Sequence, residues 1–242
     1  MSEWELPESV KPQSIERTGG GFLWESGVYD ATIKMVYLDQ AKSEAVSFNV
    51  ILVNSEGKEL KEAMYIKSGK TKGGKTYFTD KNGVDRPLPG YAVANSMCVA
   101  ATGESLAKVM TTAEKKVVNI YNYDQGKEVP TERPVLMSLV NKPVKVAVHQ
   151  LEEDKNKKNA AGQYVPTGET RKKNECKFFG NTDGKTVDEI LSGSDPVVFD
   201  AWAKSNTGVV IDKTTKQKAT SAADIMNGGE SATPAATVSL FS

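Results

Sequence analysis

The sequence predicts a mainly β fold, antiparallel, with a few peripheral helices. Two observations carry this. Apolar residues recur at every second position over residues 29–37 and again over 46–52. Turn-forming clusters then close these segments, while helical spacing or capping signals occur in only three places. With 242 residues and 38% hydrophobic content, the chain has room for one large domain or two small ones and for a genuine core.

The first 26 residues, acidic at the front and glycine-rich over Thr18–Phe22, are read as an arm with a turn. From Gly27, Tyr29, Ala31, Ile33, Met35 and Tyr37 point one way and Asp30, Thr32 and Lys34 the other, as in a half-buried strand. Val46, Phe48, Val50 and Leu52 repeat the pattern. Asn54-Ser55-Glu56-Gly57 supplies a turn before a third strand at Leu60–Ile66, so strands one to three form an antiparallel meander. Residues 67–89 are polar and lysine-rich, with Tyr77-Phe78 and an Asn82-Gly83 turn, and read as an exposed hairpin or loop.

A helix is expected over Tyr91–Thr102, where Val93, Met97 and Ala101 recur at helical spacing and Gly103 stands as C-cap. Further strands are expected at Lys116–Tyr123, at Val135–Val140 after the Glu132-Arg133-Pro134 break, and at Val144–Leu151. Residues 153–173 read as a long hairpin arm feeding a short strand at Glu175–Phe179. Thr186-Val187-Asp188-Glu189 has the form of a capping box, and Asp195-Pro196 opens a second helix that carries Phe199 and Trp202 and ends near Gly208. The expected organisation is an arm at 1–26, a binding domain at 27–211 and a disordered tail at 212–242, because the tail is too poor in large apolar groups to offset its ordering entropy.

Composition excludes much chemistry. Thirty-one Lys plus Arg balance thirty-one Asp plus Glu, so basic character is local. One histidine, His149, and two distant cysteines, Cys98 and Cys176, leave no four-ligand Cys/His zinc site, two-histidine motif or CxxC pair. Both cysteines read as small buried hydrophobes, and His149 as a half-exposed strand residue. No signal peptide or membrane span is expected, which places the protein in the cytosol. Gly69–Thr76 matches GxxxxGK[ST] letter for letter, but the residues after it have strand and turn chemistry where a phosphate-binding loop needs a helix. Nucleotide hydrolysis through Gly69–Thr76 therefore stays the enzymatic alternative to a non-catalytic reading, for which no cofactor or metal is expected.

Charge is segregated along the chain. Residues 58–75 hold six lysines against Glu59 and Glu62; residues 153–177 hold seven basic groups against four acids; residues 1–30 hold six acids against Lys11 and Arg17. Aromatic residues adjoin the basic stretches. Lysines on a groove with flat rings beside them are what sequence-independent single-strand binding requires, since each base offers a face for stacking. The candidate contacts are Lys67, Lys70, Lys72, Lys75, Tyr77 and Phe78 in the first stretch, and Lys157, Lys158, Tyr164, Arg171, Lys172 and Lys173 in the second. Lys115, Lys116, Tyr121 and Tyr123 make a third cluster. Tyr65 and Phe179, within strands, are expected in the core.

The meander, the helix after its third strand, and Thr76-Tyr77-Phe78-Thr79-Asp80-Lys81-Asn82-Gly83 running through Pro87-Leu88-Pro89-Gly90-Tyr91 to Ala100-Ala101-Thr102-Gly103 resemble single-stranded DNA-binding proteins of tailed bacteriophages, over about residues 20–205. The resemblance implies an OB-fold-like antiparallel barrel. It also implies single-stranded DNA binding in phage replication or recombination, in the cytoplasm of the bacterial host. An acidic tail ending in Phe, common among replication single-strand binders, is not found here: Lys213–Ser242 has three lysines against Asp224 and Glu230. The Ser239-Leu240-Phe241 ending is similar to short peptides that dock on bacterial sliding clamps, with Thr237 where those carry glutamine, which makes Leu240 and Phe241 candidate anchors for a replication partner such as the host clamp. A phage interaction or transcription-regulating protein using the barrel as a docking surface is the further alternative.

Overall fold

The computed structural model describes residues 23–122, 125–160 and 164–215. The meander forms as expected: β1 (Gly27–Gln40), β2 (Val46–Asn54) and β3 (Glu59–Lys67) pair antiparallel, with Ile33 opposite Leu52 and Phe48 opposite Met64. The alternation in β1 is not strict to its end. A bulge between Ile33 and Met35 shifts the phase by one residue, so Val36, rather than Met35, follows Ile33 into the core.

After β3 the chain makes a short 3₁₀ turn at Lys70–Lys72 and a small separate hairpin, β4 (Tyr77–Thr79) with β5 (Asp85–Pro87). The Asp80 carboxylate accepts the N–H groups of Asn82 and Val84 and pairs with Arg86, while Gly83 takes φ +79°, which a side chain would resist. Helix α1 (Pro89–Thr102) has Pro89 at its first turn and Gly103 as left-handed cap, its N–H bonded to the Val99 carbonyl. Its buried face is Ala94, Met97 and Cys98. A one-turn helix not anticipated from sequence, α2 (Leu106–Met110), follows under a Ser105 cap.

Next come β6 (Glu114–Asn122) and β7 (Lys127–Val135). The strand expected at Val135–Val140 is not formed. Val135 ends β7, and Met137–Leu139 is a 3₁₀ turn that inserts Leu136 and Leu139 into the core. Glu132-Arg133-Pro134, expected as a break, lies inside β7. Pro130 and Pro134 have the same parity, so both missing N–H groups face one edge of β7, and that edge pairs only at Val135 with Tyr37.

β8 (Pro143–Lys158) and β9 (Tyr164–Gly180) form the long arm, with β9 absorbing the short strand expected at 175–179. The capping box opens α3 (Val187–Ser192), α4 (Val198–Asn206) follows, and β10 (Val210–Asp212) pairs parallel with β8. Glu189 joins both helices: Oε2 accepts the Thr186 N–H and hydroxyl, and Oε1 accepts the N–H groups of Val197 and Val198. Burial would raise its pKa, but these donors outweigh burial and hold it at about 2.

The sheet runs in the order β10-β8-β1-β2-β3, with β9 paired to β8 off this path, so that β3-β2-β1-β8-β9 is also a continuous run of paired strands. The expected barrel is not closed, because no ladder joins β3 to β9. Instead the Glu62 carboxylate of β3 accepts the Cys176 N–H of β9 at 2.7 Å, taking the donor a backbone partner would need. Burial pushes the Glu62 carboxyl up from its ordinary value, and pushes the Cys98 thiol up to about 12. Both cysteines are free and buried. Helix α1 packs on β3 and β9 across this gap, where Ser96 Oγ accepts the Phe179 N–H. Gly90 is required there, since a Cβ would stand 2.5 Å from the Tyr65 carbonyl oxygen. The core fills the concave side with Ile33, Val36, Phe48, Leu52, Met97 and Phe179. Among the described residues no helix is long and apolar enough to cross a membrane.

Candidate nucleic-acid interface

The gap between β3 and β9 widens into an open cleft of about 2210 Å³. Period-two geometry explains the first wall. On β3, Leu60, Met64 and Ile66 point inward, so the residues between them, Lys61, Ala63, Tyr65 and Lys67, form the outward stripe. Tyr65, expected in the core, is 58% exposed and lines the cleft; Phe179 is buried as expected. The signal was available in the sequence, since Tyr65 is out of phase with the apolar residues on either side of it.

The opposite wall is β9, with Lys172, Lys173 and Lys177 around Asn174. The β1–β2 turn (Ala41, Ser43) and the loop residues Ser68, Gly69, Thr71 and Lys72 close one end. In all, seven lysines and four glutamates line the cleft. Lys61 pairs with Glu128 at 3.6 Å, Lys173 with Glu153 at 2.7 Å and Lys177 with Glu175 at 3.0 Å. Lys67, Lys72 and Lys172 enter no ion pair among the described residues, and so offer uncompensated charge to an anion.

Four candidate residues from stretches about a hundred positions apart thus line one cleft, at its two ends: β3 and β9 run parallel with Glu62 beside Cys176, so Lys172 and Lys173 lie toward the Lys58–Lys61 end and Lys67 and Lys72 toward the other. Lys70 sits at the rim, 3.6 Å from Glu44. Its loop is packed on the β1–β2 turn, with the Lys70 N–H bonded to the Ser43 carbonyl and Gly73 and Gly74 both at positive φ. The chain then enters β4, so no helix opens at Lys75-Thr76 to receive phosphates.

The other candidates lie outside the cleft lining. Lys75 caps the Tyr77 ring at 4.8 Å, and Tyr77 and Phe78 are 37% and 42% exposed on the β4–β5 hairpin, which is tied to the cleft-lining Leu88 by its N–H to the Thr76 carbonyl. On the β8–β9 arm, Lys158 stands 5.3 Å from the ring of Tyr164, which is 68% exposed, with Lys157 one residue before it. Arg171 is engaged twice by Glu153, which also takes Lys173. Burial pulls the Glu153 carboxyl up, but these two cations outweigh it and lower its pKa. Lys115, Lys116 and Tyr121 lie on β6, outside the cleft lining, although Tyr121 stands opposite Glu128 of β7, which pairs with the cleft-lining Lys61. Tyr123, Leu240 and Phe241 fall outside the described residues.

His149 is a strand residue packed at 4.9 Å against Trp202 of α4, its Nε2 2.9 Å from Asn206 Oδ1, a structural partnership. Among the described residues no group of three or more His, Cys, Asp or Glu side chains is arranged to hold a metal ion. The chain matches no protein-family model and no curated protein.

Proposed function

We propose that this protein binds single-stranded DNA without base-sequence preference and without catalysis, the strand lying in the β3–β9 cleft. The carrying observation is convergence: lysines from two strands distant in sequence line the two walls of one groove that also displays an exposed ring, Tyr65. Phosphates would meet the lysines and a base would stack on Tyr65. The rims extend the path, to Tyr77 and Phe78 at one end and along the arm to Tyr164, where Lys158 already covers the ring.

The sheet order supports reading the fold as a partly open OB-type barrel. The paired run β3-β2-β1-β8-β9, with α1 in the connection that follows β3, is compatible with a five-strand arrangement of that kind left open between β3 and β9. OB-folds bind oligonucleotides on the face of their second and third strands and with the loops joining strands one to two and four to five. The corresponding connections here are the β1–β2 turn and the β8–β9 arm. The resemblance to phage single-strand binders supplies the setting, DNA replication or recombination in an infected bacterium.

Titration of oligo-dT and an equal-length duplex at several salt concentrations tests the proposal. Oligo-dT is expected to bind more tightly, with log affinity falling against log salt by about 0.7 per phosphate neutralised. A flat salt response, or equal affinity for duplex, refutes it.

A further inference from the structure

We infer that the outer edge of β6 pairs with the same edge of a second copy of this chain, antiparallel about Val118, so that two β6–β7 ribbons join into one sheet; this is independent of what the cleft binds. The first observation is which way the backbone of β6 turns. Among the described residues β6 pairs with β7 alone. Lys115 and Asn119 stand opposite Pro134 and Pro130, which have no N–H to give, so at these positions the two strands exchange no hydrogen bonds. By the two-residue period, the N–H and C=O groups of Lys115, Val117, Asn119 and Tyr121 all turn away from β7, toward the outer edge. The two edges of the ribbon differ in kind. That of β7 carries both prolines, which block pairing, whereas β6 has no proline along its length.

The second observation is that the β6 edge is complementary to itself. Its four outward-turned residues are symmetric about Val118. Antiparallel pairing centred there sets Lys115 opposite Tyr121 of the second copy and Val117 opposite its Asn119, engages all four residues of both strands, and forms about eight hydrogen bonds, two per pair. A slip of two residues either way leaves only about three such pairs. Charge selects the same register. Glu114, Lys115 and Lys116 crowd one end of β6 and Ile120, Tyr121 and Asn122 the other, so each lysine meets an uncharged residue, Lys115 the Tyr121 ring and Lys116 the Ile120 side chain. A register centred on Lys115 or Lys116 would oppose like charges. The pairing also covers Val117, which is 69% exposed in the single chain. No residue of β6 lines the cleft, so the cleft stays open.

The test uses the full chain without DNA. Sedimentation velocity over about 1–200 µM is expected to show a monomer passing to a dimer. Val117→Pro and Asn119→Pro each delete one outward N–H per chain and leave the β6–β7 hydrogen bonds in place. Each is expected to weaken the dimer on the order of 30-fold, with a thermal midpoint near that of the parent. Thiols read the register. V117C mixed with N119C under mild oxidation should give a disulfide-linked dimer holding one chain of each, since the paired Cα atoms stand about 5.5 Å apart. Either variant alone should not cross-link, its two copies of the thiol sitting on Cα atoms roughly 9 Å apart. Cys98 and Cys176 are buried and take no part. A chain that stays monomeric at every concentration, a dimer that both folded proline variants leave intact, or V117C alone cross-linking as fast as the mixture overturns the inference. The cross-linking comparison needs no proline, and so decides the matter even where those variants do not fold.

Discussion

The β3–β9 cleft and the β6–β7 ribbon look alike as sequence and differ as surfaces. Each has lysines with a tyrosine a few residues away. In the ribbon, Lys115 and Tyr121 share the outward face of one strand but stand six residues, about 20 Å, apart, while Lys116 lies on the other face with the buried Val118 and pairs with Glu114. Lys115 is not part of the cleft lining. In the cleft the β3 stripe Lys61-Tyr65-Lys67 also spans six residues, but β9 adds Lys172, Lys173 and Lys177 on the other wall of the same cleft. The difference teaches that a basic-aromatic pattern marks potential contacts, and that concavity between two sheet edges makes a path of them. Field lines concentrate in such a groove, where a convex ribbon disperses them into solvent.

The largest effect expected from this comparison is loss of the converging charges. Replacing Lys67, Lys72, Lys172 and Lys173 together by Ala should lower oligo-dT affinity on the order of 100-fold at low salt and reduce the log–log salt slope by about 3. Fluorescence anisotropy over a salt series reads both. An unchanged slope would move the phosphate path out of the cleft.

The next effect separates stacking from charge. Tyr65→Ala should cost about 1–3 kcal/mol of binding free energy with the salt slope unaltered, because stacking releases no counterions. Since Tyr65 is exposed, its removal should leave the thermal midpoint nearly unchanged. A Tyr65→Ala protein that binds normally, beside a defective Tyr77→Ala, would transfer the stacking role to the β4–β5 hairpin.

What the sequence made legible follows from what is local. The meander announced itself by alternation, α1 by the spacing of Val93, Met97 and Ala101 and by Gly103, and α3 by the Thr186–Glu189 box, because each signal acts within a few residues. The errors come from non-local competition. Pro134 signals a break in isolation, yet β7 tolerates it because its nitrogen faces the edge away from β6. Leu136 and Leu139 resemble strand residues but are drawn into a turn by the core they plug. The cleft was invisible for the same reason: the opposition of β3 and β9 depends on β1, β2, β8 and α1 lying between them in the fold. Glu62, which holds the gap, reads in sequence as one more surface acid.

A third effect concerns stability, and checks that cleft phenotypes are not folding defects. Glu189→Gln removes the buried charge that caps α3 and α4, and should destabilise the fold by about 1–3 kcal/mol near neutral pH. Affinity per folded molecule should not change, because Glu189 lies outside the cleft lining. The pH dependence has a fixed sign. Glu189 titrates at about 2 in the fold against an ordinary value of 4.5, so its contribution is complete above about pH 4.5 and is lost as pH falls toward 2. Thermal midpoints of parent and variant should converge over that window. Parallel curves would show that the carboxylate's charge does not support the two helices.

The smallest effect is the most demanding of the comparison. Lys115→Ala with Lys116→Ala removes as much formal charge as any two of the cleft lysines, so a protein that attracts DNA by diffuse field alone should lose as much from the ribbon as from the cleft. If contact in the groove dominates, the ribbon pair should cost less than about twofold, and that small loss should vanish near physiological salt, where the screening length is about 8 Å. Lys116 is already compensated by Glu114 at 2.9 Å, which lowers the expected cost further. The matched measurement is Lys67→Ala with Lys172→Ala, two lysines that enter no ion pair among the described residues, titrated against the same oligonucleotide over the same salt series. Equal losses from the two pairs would dissolve the distinction between cleft and ribbon and leave a protein with a distributed basic surface. A loss confined to the cleft pair would make the juxtaposition of β3 and β9 the origin of binding.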